Sequence, residues 1–376
     1  MLYHSVQLMI YMESKMKHVL VLGAGNIGRF ISLLLMRKYK VTLADIQHNH
    51  KLVKNVNFMV IDANDADSLK NTINATKVDV VVSCLPHFLT KKVADVVIGL
   101  GKHYFDITED VATTAHNYQA ANSSAGMVVP QCGLAPGFVS IVAQHLMRDF
   151  DSIDAVRMRV GALPIHVSNA LQYALTWSTD GLINEYIQDT EVLRNGKKAL
   201  LPALTGLETL KIDGLTYEAF HTSGGVGSLV NSNVSRVKNM DYKTIRYPGH
   251  CEKMHFLLKQ LHLEQHPDWM KQILENAIPQ TTQDMVLIYV SVVGKKDNIL
   301  LETNYAKKFY SVNMFEQTWS AIQLCTGSSL CAVLDMLLSS DTKSGLVKQE
   351  SIQFEAFVQN EFGRIFSNEN EEALNV

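Results

Sequence analysis

The chain has 376 residues, 47% of them hydrophobic and 19% charged, which is enough apolar surface for more than one packed core and too little charge for a disordered chain. Lys and Arg number 34 and Asp and Glu 37, a net charge of −3, so nothing in the bulk electrostatics attracts nucleic acid or anionic lipid. The five cysteines, Cys84, Cys132, Cys251, Cys325 and Cys331, form no CxxC pair; neither a zinc site nor a dithiol redox centre is indicated, and a sparse odd set fits a reducing compartment such as the cytoplasm.

Residues 1–15 lack a basic start and a small-residue cleavage site, and are read as an extension ahead of the first strand. His18–Leu22 is apolar and β-rich, and Gly23–Gly28 interrupts it. Apolar residues then recur at helical spacing from Ile27 to Met36. Strands follow at Val41–Ala44, Phe58–Ile61 and Val78–Ser83. Next come a helix at Leu89–Gly99, a strand at Tyr104–Phe105, a helix at Ala112–Ala125 and a sixth strand at Met127–Val129. These strands are short, apolar and β-branched rather than alternating, as in a parallel sheet covered on both faces. Strand–helix alternation predicts an open, doubly wound α/β domain. Beyond Gly137 the alternation stops. Longer strands at Val156–Val160 and Met285–Val293, with glycine-containing turns between them, describe an α+β unit. The stretch Trp319–Phe366 reads as two helices, Ala321–Leu338 and Ile352–Phe366, with a loop through Gly345. No apolar run reaches ~18 residues without a charge, so no membrane span is expected.

The first turn, Gly23-Ala24-Gly25-Asn26-Ile27-Gly28, is a GxGxxG between a strand and an amphipathic helix, with Asp45 twenty residues beyond Gly25 at the end of the next strand. That context is the Rossmann dinucleotide fingerprint. Gly23 permits the tight turn, Gly25 lets the backbone approach a pyrophosphate, and Gly28 lets helix and strand pack closely. The helix start at Asn26 and Ile27 aims free N–H groups at the anion. Asp45 would accept the adenosine ribose hydroxyls and repel a 2′-phosphate, which favours NAD; His48, His50, Lys51 and Lys54 nearby leave NADP open. Asp62-Ala63 follows the third strand, where a carboxylate can meet the adenine amino group or act as a helix cap. Ser83, Leu85 and Pro86 end the fourth strand, where a dinucleotide crosses the sheet.

The second half offers substrate candidates. Gln131–Gly137 (QCGLAPG) is a narrow turn before a helix. Phe220–Gly225 (FHTSGG) supplies hydroxyls and backbone N–H groups suited to a carboxylate. Lys243–His250 (KTIRYPGH) places Arg246, a planar fork for a carboxylate, before a turn. Asp106 ends the fifth strand and Glu109 follows three residues on; either could face a substrate amine or cap a helix. Fourteen histidines show no HExxH or paired ligand spacing, so no metal is expected.

Taken in order, VLVLGAGNIGRF, VDVVVSCLP, CGLAPGF, GALP, LTWSTDGLINEY, HTSGG, TIRYPGH and TGSSLCAVLDMLL…GLVKQESI resemble the saccharopine dehydrogenase family, including its lysine 6-dehydrogenase members, from Lys17 to about Phe366. The resemblance implies a Rossmann domain over residues 16–136 and a substrate-binding and dimerisation domain with a mixed sheet over 137–320. It also implies a helical segment over 321–376 that returns to the Rossmann domain. Its implied chemistry is hydride exchange between NAD or NADP and the C–N carbon of a lysine-derived amino acid, through an imine. By the same resemblance Gly23, Gly25, Asn26, Ile27, Gly28, Asp45 and Asp62 bind cofactor, and Trp177, Thr222, Ser223, Gly224, Arg246 and His250 line the substrate site. Asp106, Glu109, His221 and His250 are the candidates for proton transfer, with Asp106 and His250 taken as catalytic and Glu109 as substrate-binding. Arg157, Arg159, Arg236, Arg246, His221 and His250 could together hold a ligand with several carboxylates, which tilts the expectation toward saccharopine; lysine and a carboxylated polyamine stay open. GALP stands where GGLP is usual and KQES where PPE is frequent, which leaves the subfamily open. A non-catalytic dinucleotide sensor is the competing reading, since a fold does not dictate a function. The expected partners are a small amino-acid substrate and a second copy of the chain, with no nucleic acid or membrane.

Overall fold

The computed structural model describes residues 16–48, 56–342 and 344–368. The first half runs β1 (His18–Leu22), α1 (Asn26–Leu35), β2 (Lys40–Asp45), β3 (Asn57–Val60), α2 (Ala66–Ala75), β4 (Val80–Ser83), α3 (His87–Gly99), β5 (His103–Asp106), α4 (Val111–Ala120) and β6 (Met127–Val129). Next come α5 (Val139–Met147), β7 (Ser152–Pro164), α6 (Thr179–Ile187), β8 (Thr190–Arg194), β9 (Lys197–Leu201), β10 (Glu208–Ile212) and β11 (Leu215–His221). They are followed by α7 (Leu229–Asn233), β12 (Val237–Arg246), α8 (His250–His255), α9 (Pro267–Ala277), β13 (Asp284–Lys296) and β14 (Ile299–Tyr310). A short hairpin, β15 (Val312–Met314) with β16 (Gln317–Trp319), leads into α10 (Ala321–Leu338), β17 (Gly345–Leu346) and α11 (Phe354–Gln359).

Seven strands form one parallel sheet in the order β17-β6-β5-β4-β1-β2-β3. Strand β1 lies between β2 and β4, so the winding direction reverses there and a crevice opens at the strands' carboxyl ends. Helix α2 escapes the sequence reading because ADSLKNTINA buries only Leu69 and Ile73, too thin a stripe for the periodicity to register. Its cap is Asp65, which accepts the Asp67 and Ser68 N–H groups.

The second sheet is mixed, in the order β10-β11-β12-β7-β13-β14, with β8 and β9 added beside β12. Strands β7 and β13 are longer than the sequence suggests, each spanning 13 residues. The hairpin to β14 turns on Asp297 and Asn298, both left-handed (φ 50° and 63°), as a two-residue turn with the strands' twist requires. Strand β14 escapes notice because ILLETNYAKKFY is an edge strand with much of its length in solvent.

Helix α10 is as expected, and its 18 residues are long enough, and on average apolar enough, to cross a bilayer; in this fold it is a core helix, mostly buried. Gly327 lets it approach α1, since a Cβ there would lie 2.5 Å from the Phe30 ring. Asp335 on α10 accepts from Lys38 Nζ (3.0 Å), Tyr39 Oη (2.6 Å) and Asn360 Nδ2 (2.6 Å). The expected helix Ile352–Phe366 is broken: only Phe354–Gln359 is α-helical, and Gly363–Phe366 is a 3₁₀ turn. Asn360 stops it, its side chain accepting the Phe362 N–H (2.9 Å) while the backbone turns extended. The segment ends with Phe366 stacked on Phe138 (centroids 4.0 Å) and its carbonyl accepting from Tyr305 Oη (2.8 Å).

Candidate active site

A cleft of about 620 Å³ lies between the two sheets, its lining drawn from the ends of β1, β2 and β4, the turn after β6, and the β7, α6 and β12 side of the second sheet. Gly23, Gly25, Asn26, Ile27, Gly28, Asp45, Asp62, Ala63, Leu85, Pro86, Glu109, Trp177 and Arg246 all line it.

The three glycines differ in what holds them. Gly23 is left-handed (φ 101°), and a Cβ on it would meet the Cys84 carbonyl at 2.7 Å. A Cβ on Gly28 would fall 1.9 Å from the Gly23 carbonyl oxygen. A Cβ on Gly25 would meet nothing within 4 Å, because it would project into the cleft. Gly25 is the N-cap of α1 with no side-chain cap, so the first amides of the helix lack intrahelical partners. Open space and unpaired N–H groups at a helix start are what a pyrophosphate needs, and a dinucleotide fits these residues.

Asp45 accepts the Ala24 N–H (2.6 Å) through one oxygen and the Ile46 N–H (2.7 Å) through the other. Each oxygen keeps a lone pair for a hydroxyl donor in the cleft. Asp62 is not a helix cap, that task falling to Asp65; one of its oxygens accepts the Asn64 N–H (2.8 Å). His48 lies against Phe58, ring centroids 5.1 Å apart. His50, Lys51 and Lys54 fall outside the described residues, as does the extension 1–15.

On the opposite wall Arg246 is 3% exposed. Its Nε donates to Tyr186 Oη (3.0 Å) and its guanidinium stands 5.0 Å from the Tyr173 ring centroid. Burial works against its charge, but Tyr186, Tyr173 and Glu185 around it outweigh burial and raise its pKa. Trp177 donates Nε1–H to Tyr173 Oη (3.2 Å). Both the Trp177 ring and Glu109 Oε1 crowd Gly181 in the first turn of α6, at 2.5 and 2.9 Å from where its Cβ would be. Burial, then Asp110 and Asp106, push the Glu109 carboxyl up to about 7.

Several nominated residues stand behind the cleft instead of lining it. Asp106 is fully buried, accepting from the Gln131 N–H (2.9 Å), the Thr108 N–H (3.1 Å) and Asn117 Nδ2 (3.0 Å). It straps β5 to the turn after β6, and burial pushes its pKa up to about 6. His250 is also buried. Its Nδ1 faces the Leu171 carbonyl (2.8 Å) and its Nε2 faces Tyr186 Oη (3.1 Å), so it positions the tyrosine that positions Arg246. Burial, then Arg246, press its pKa down to about 3, leaving a neutral ring. Ser83 is buried under the floor at the end of β4.

The FHTSGG loop is a support. Thr222 pairs with Thr244 (Oγ1–Oγ1 2.9 Å), the Ser223 N–H donates to the Glu185 carbonyl, and Gly224 lies so close to the Glu109 carbonyl that a Cβ would be 2.4 Å from it. Loop motifs reveal polarity but not which of two packed layers faces the ligand. The multi-carboxylate set also disperses. Arg157 is exposed, Arg159 is paired with Glu208 and Asp241, His221 lies beside Asp241, and Arg236 donates to the Met147 carbonyl.

The cleft lining adds Thr176, Thr244 and Glu185, none singled out from sequence. Glu185 lies within LTWSTDGLINEY, four residues after Gly181 and so on the same face of α6. That spacing was the available signal.

Residues 19–129 match the family model described as the saccharopine dehydrogenase NADP binding domain, and residues 133–362 that of the saccharopine dehydrogenase C-terminal domain. Among solved structures, the chain is similar to an apo saccharopine dehydrogenase (L-Glu forming) from Saccharomyces cerevisiae, with a TM-score of 0.74 at 15% identity over 91% of this chain and 96% of that one. It is also similar to a homospermidine synthase from Legionella pneumophila in complex with NAD, with a TM-score of 0.64 at 13% identity over 93% and 89% of the two chains. At such identities the likeness speaks for the fold. The family models carry the assignment: this chain belongs to the saccharopine dehydrogenase family of NAD(P)-dependent oxidoreductases.

Proposed function

We propose that the protein oxidises or reduces the C–N bond of a lysine-derived amino acid with NAD or NADP. The observation that carries this reading is one cleft with a pyrophosphate-ready glycine turn on one wall and a buried guanidinium on the other. When bound, the dinucleotide supplies the hydride acceptor or donor. Arg246 clamps the substrate carboxylate, and Tyr186 and His250 hold the guanidinium in place for it. Of Asp106, Glu109, His221 and His250, Glu109 is the one on the cleft lining, with a carboxyl suited to exchanging a proton near neutral pH. In the oxidative direction the substrate carbon loses a hydride and its nitrogen a proton, giving an imine. Water then adds, and the carbonyl compound and amine separate. Asp45 at the cleft lining favours NAD, since its carboxylate repels a 2′-phosphate.

The five free thiols fit the cytoplasm. The exposed edge strand β14, with Ile299 and Leu300 in solvent, is the face proposed to pair with a second copy; light scattering at the mass of a single chain would remove that dimer. To test the activity, the protein is mixed with NAD or NADP and lysine, saccharopine or related amino acids, and the absorbance of reduced dinucleotide is followed in both directions. Dinucleotide binding without turnover of any of them would favour the sensor.

A further inference from the structure

The charge of the cleft lining narrows the substrate. Among the described residues the lining contains five carboxylates, Asp45, Asp62, Glu109, Asp180 and Glu185, and a single guanidinium, Arg246. Asp45 and Asp62 sit at the ends of β2 and β3, the cofactor side, and Asp180 is paired with Lys271 Nζ (2.7 Å). Glu109 and Glu185 therefore remain with Arg246 on the substrate side.

Glu185 is 6% exposed, and among the described residues no protein group donates to its carboxyl; its backbone carbonyl accepts the Ser223 N–H. Thr176 Oγ1, also on the lining and buried, stands beside Tyr173 and makes no close hydrogen bond among the described residues. Glu109 reaches Gly181, one helical turn before Glu185 on the same face of α6, so the two carboxyls are neighbours. Burial, then Glu109, drive the Glu185 pKa well up against the opposing pull of Arg246. The Glu109 carboxyl is half-buried with, among the described residues, only its own N–H as a partner, and a buried Glu185 without a donor beside it is costly unless a cationic group joins the two.

We propose that Glu109 and Glu185 together seat a substrate ammonium group while Arg246 takes the one carboxylate, so that the preferred substrate is a monocarboxylate amino acid with a basic side-chain amine. This deepens the C–N oxidoreductase reading and rests on it. A ligand with three carboxylates would bring three negative charges to one guanidinium and two acids. A basic amino acid neutralises the site, and Thr176 Oγ1 adds a hydrogen-bonding group beside it.

The test is equilibrium binding of four probes to the protein saturated with dinucleotide: L-lysine, L-norleucine, L-2-aminoadipate and saccharopine. Lysine should bind about tenfold or more tightly than norleucine, which lacks the amine, and than 2-aminoadipate, which replaces it with an acid. Glu185→Gln and Glu109→Gln should each shrink the lysine-to-norleucine ratio by costing lysine more affinity than norleucine. Preference for 2-aminoadipate or saccharopine overturns the proposal while the oxidoreductase reading stands. So does an equal loss for all four probes in Glu185→Gln, which would mark Glu185 as a counter-ion of Arg246 alone. If Glu185→Gln fails to fold, by circular dichroism, Glu109→Gln and the wild-type ranking decide. Lysine preference in binding without reduction of NAD or NADP by any probe would sink the oxidoreductase reading and leave the amine seat standing.

Discussion

Gly25 and Gly28 sit three residues apart in one turn, yet alanine at each should do opposite things. At Gly25 the new methyl meets no atom within 4 Å and enters the cleft. The backbone there (φ −70°) suits any residue. Losing a favourable N-cap costs about 0.5–1 kcal/mol, and restricting the unfolded chain returns about 0.4–1 kcal/mol. The two nearly cancel, so the midpoint of thermal unfolding should move by less than about 3 °C. Dinucleotide binding should suffer, because the methyl occupies the approach of the pyrophosphate and displaces at least one charge-assisted N–H bond. Such a bond is worth roughly 1.5–3 kcal/mol, or roughly 10- to 150-fold in Kd. At Gly28 the methyl carbon would start 1.9 Å from the Gly23 carbonyl oxygen, against an ordinary contact of 3.4 Å or more. Both partners are backbone, so α1 must move by over 1 Å, and overpacking of that kind costs about 1–3 kcal/mol or more. Gly28→Ala should therefore melt several degrees lower whether or not dinucleotide is present. The assay pairs calorimetry of both variants with fluorescence titration of the reduced dinucleotides. Wild-type affinity in Gly25→Ala, or wild-type stability in Gly28→Ala, would refute the assignment of these two glycines.

Arg246→Ala should cut kcat/KM by about 100-fold or more while dinucleotide affinity in the same titration stays within about twofold; equal losses in both would place Arg246 outside the substrate wall. Glu109 has a folded pKa of about 7 against 4.5, so the folded chain binds more protons than the unfolded chain between those values. Its contribution to stability declines as pH rises from 4.5 to 7. Glu109→Gln should gain on wild type across that window and hold the gain above it, which melting at pH 5 and pH 8 checks; a pH-independent difference would refute the burial argument. Asp335→Ala should destabilise by about 2–4 kcal/mol, because Tyr39 and Asn360 lose their acceptor and Lys38 keeps only Glu361. Urea denaturation measures it, and a cost below about 1 kcal/mol would remove Asp335 as the tie from α10 to the turn after α1 and to Asn360.

What the amino-acid order determined by itself is local. A strand, a turn that tolerates no side chains, a helix and an acid twenty residues on are all set by steric rules over short spans, so the glycine turn, Asp45 and the parallel first half were legible at once. Helix α10 was legible for the same reason: its predominantly apolar run is longer than a strand and is free of proline. Elements with thin or half-exposed patterns, α2 and β14, were not, because their stability comes from neighbours and not from their own periodicity. The wall opposite the glycine turn was decided by tertiary structure. Arg246, Glu109 and Glu185 come from β12, the loop after β5 and α6, and only their packing determines which polar groups face the cleft and which stand behind it. That is why Thr222, Ser223, Gly224, His250 and Asp106 read like a site in sequence and stand buried behind the cleft lining in the structure: burial and hydrogen-bond partners belong to the assembled fold.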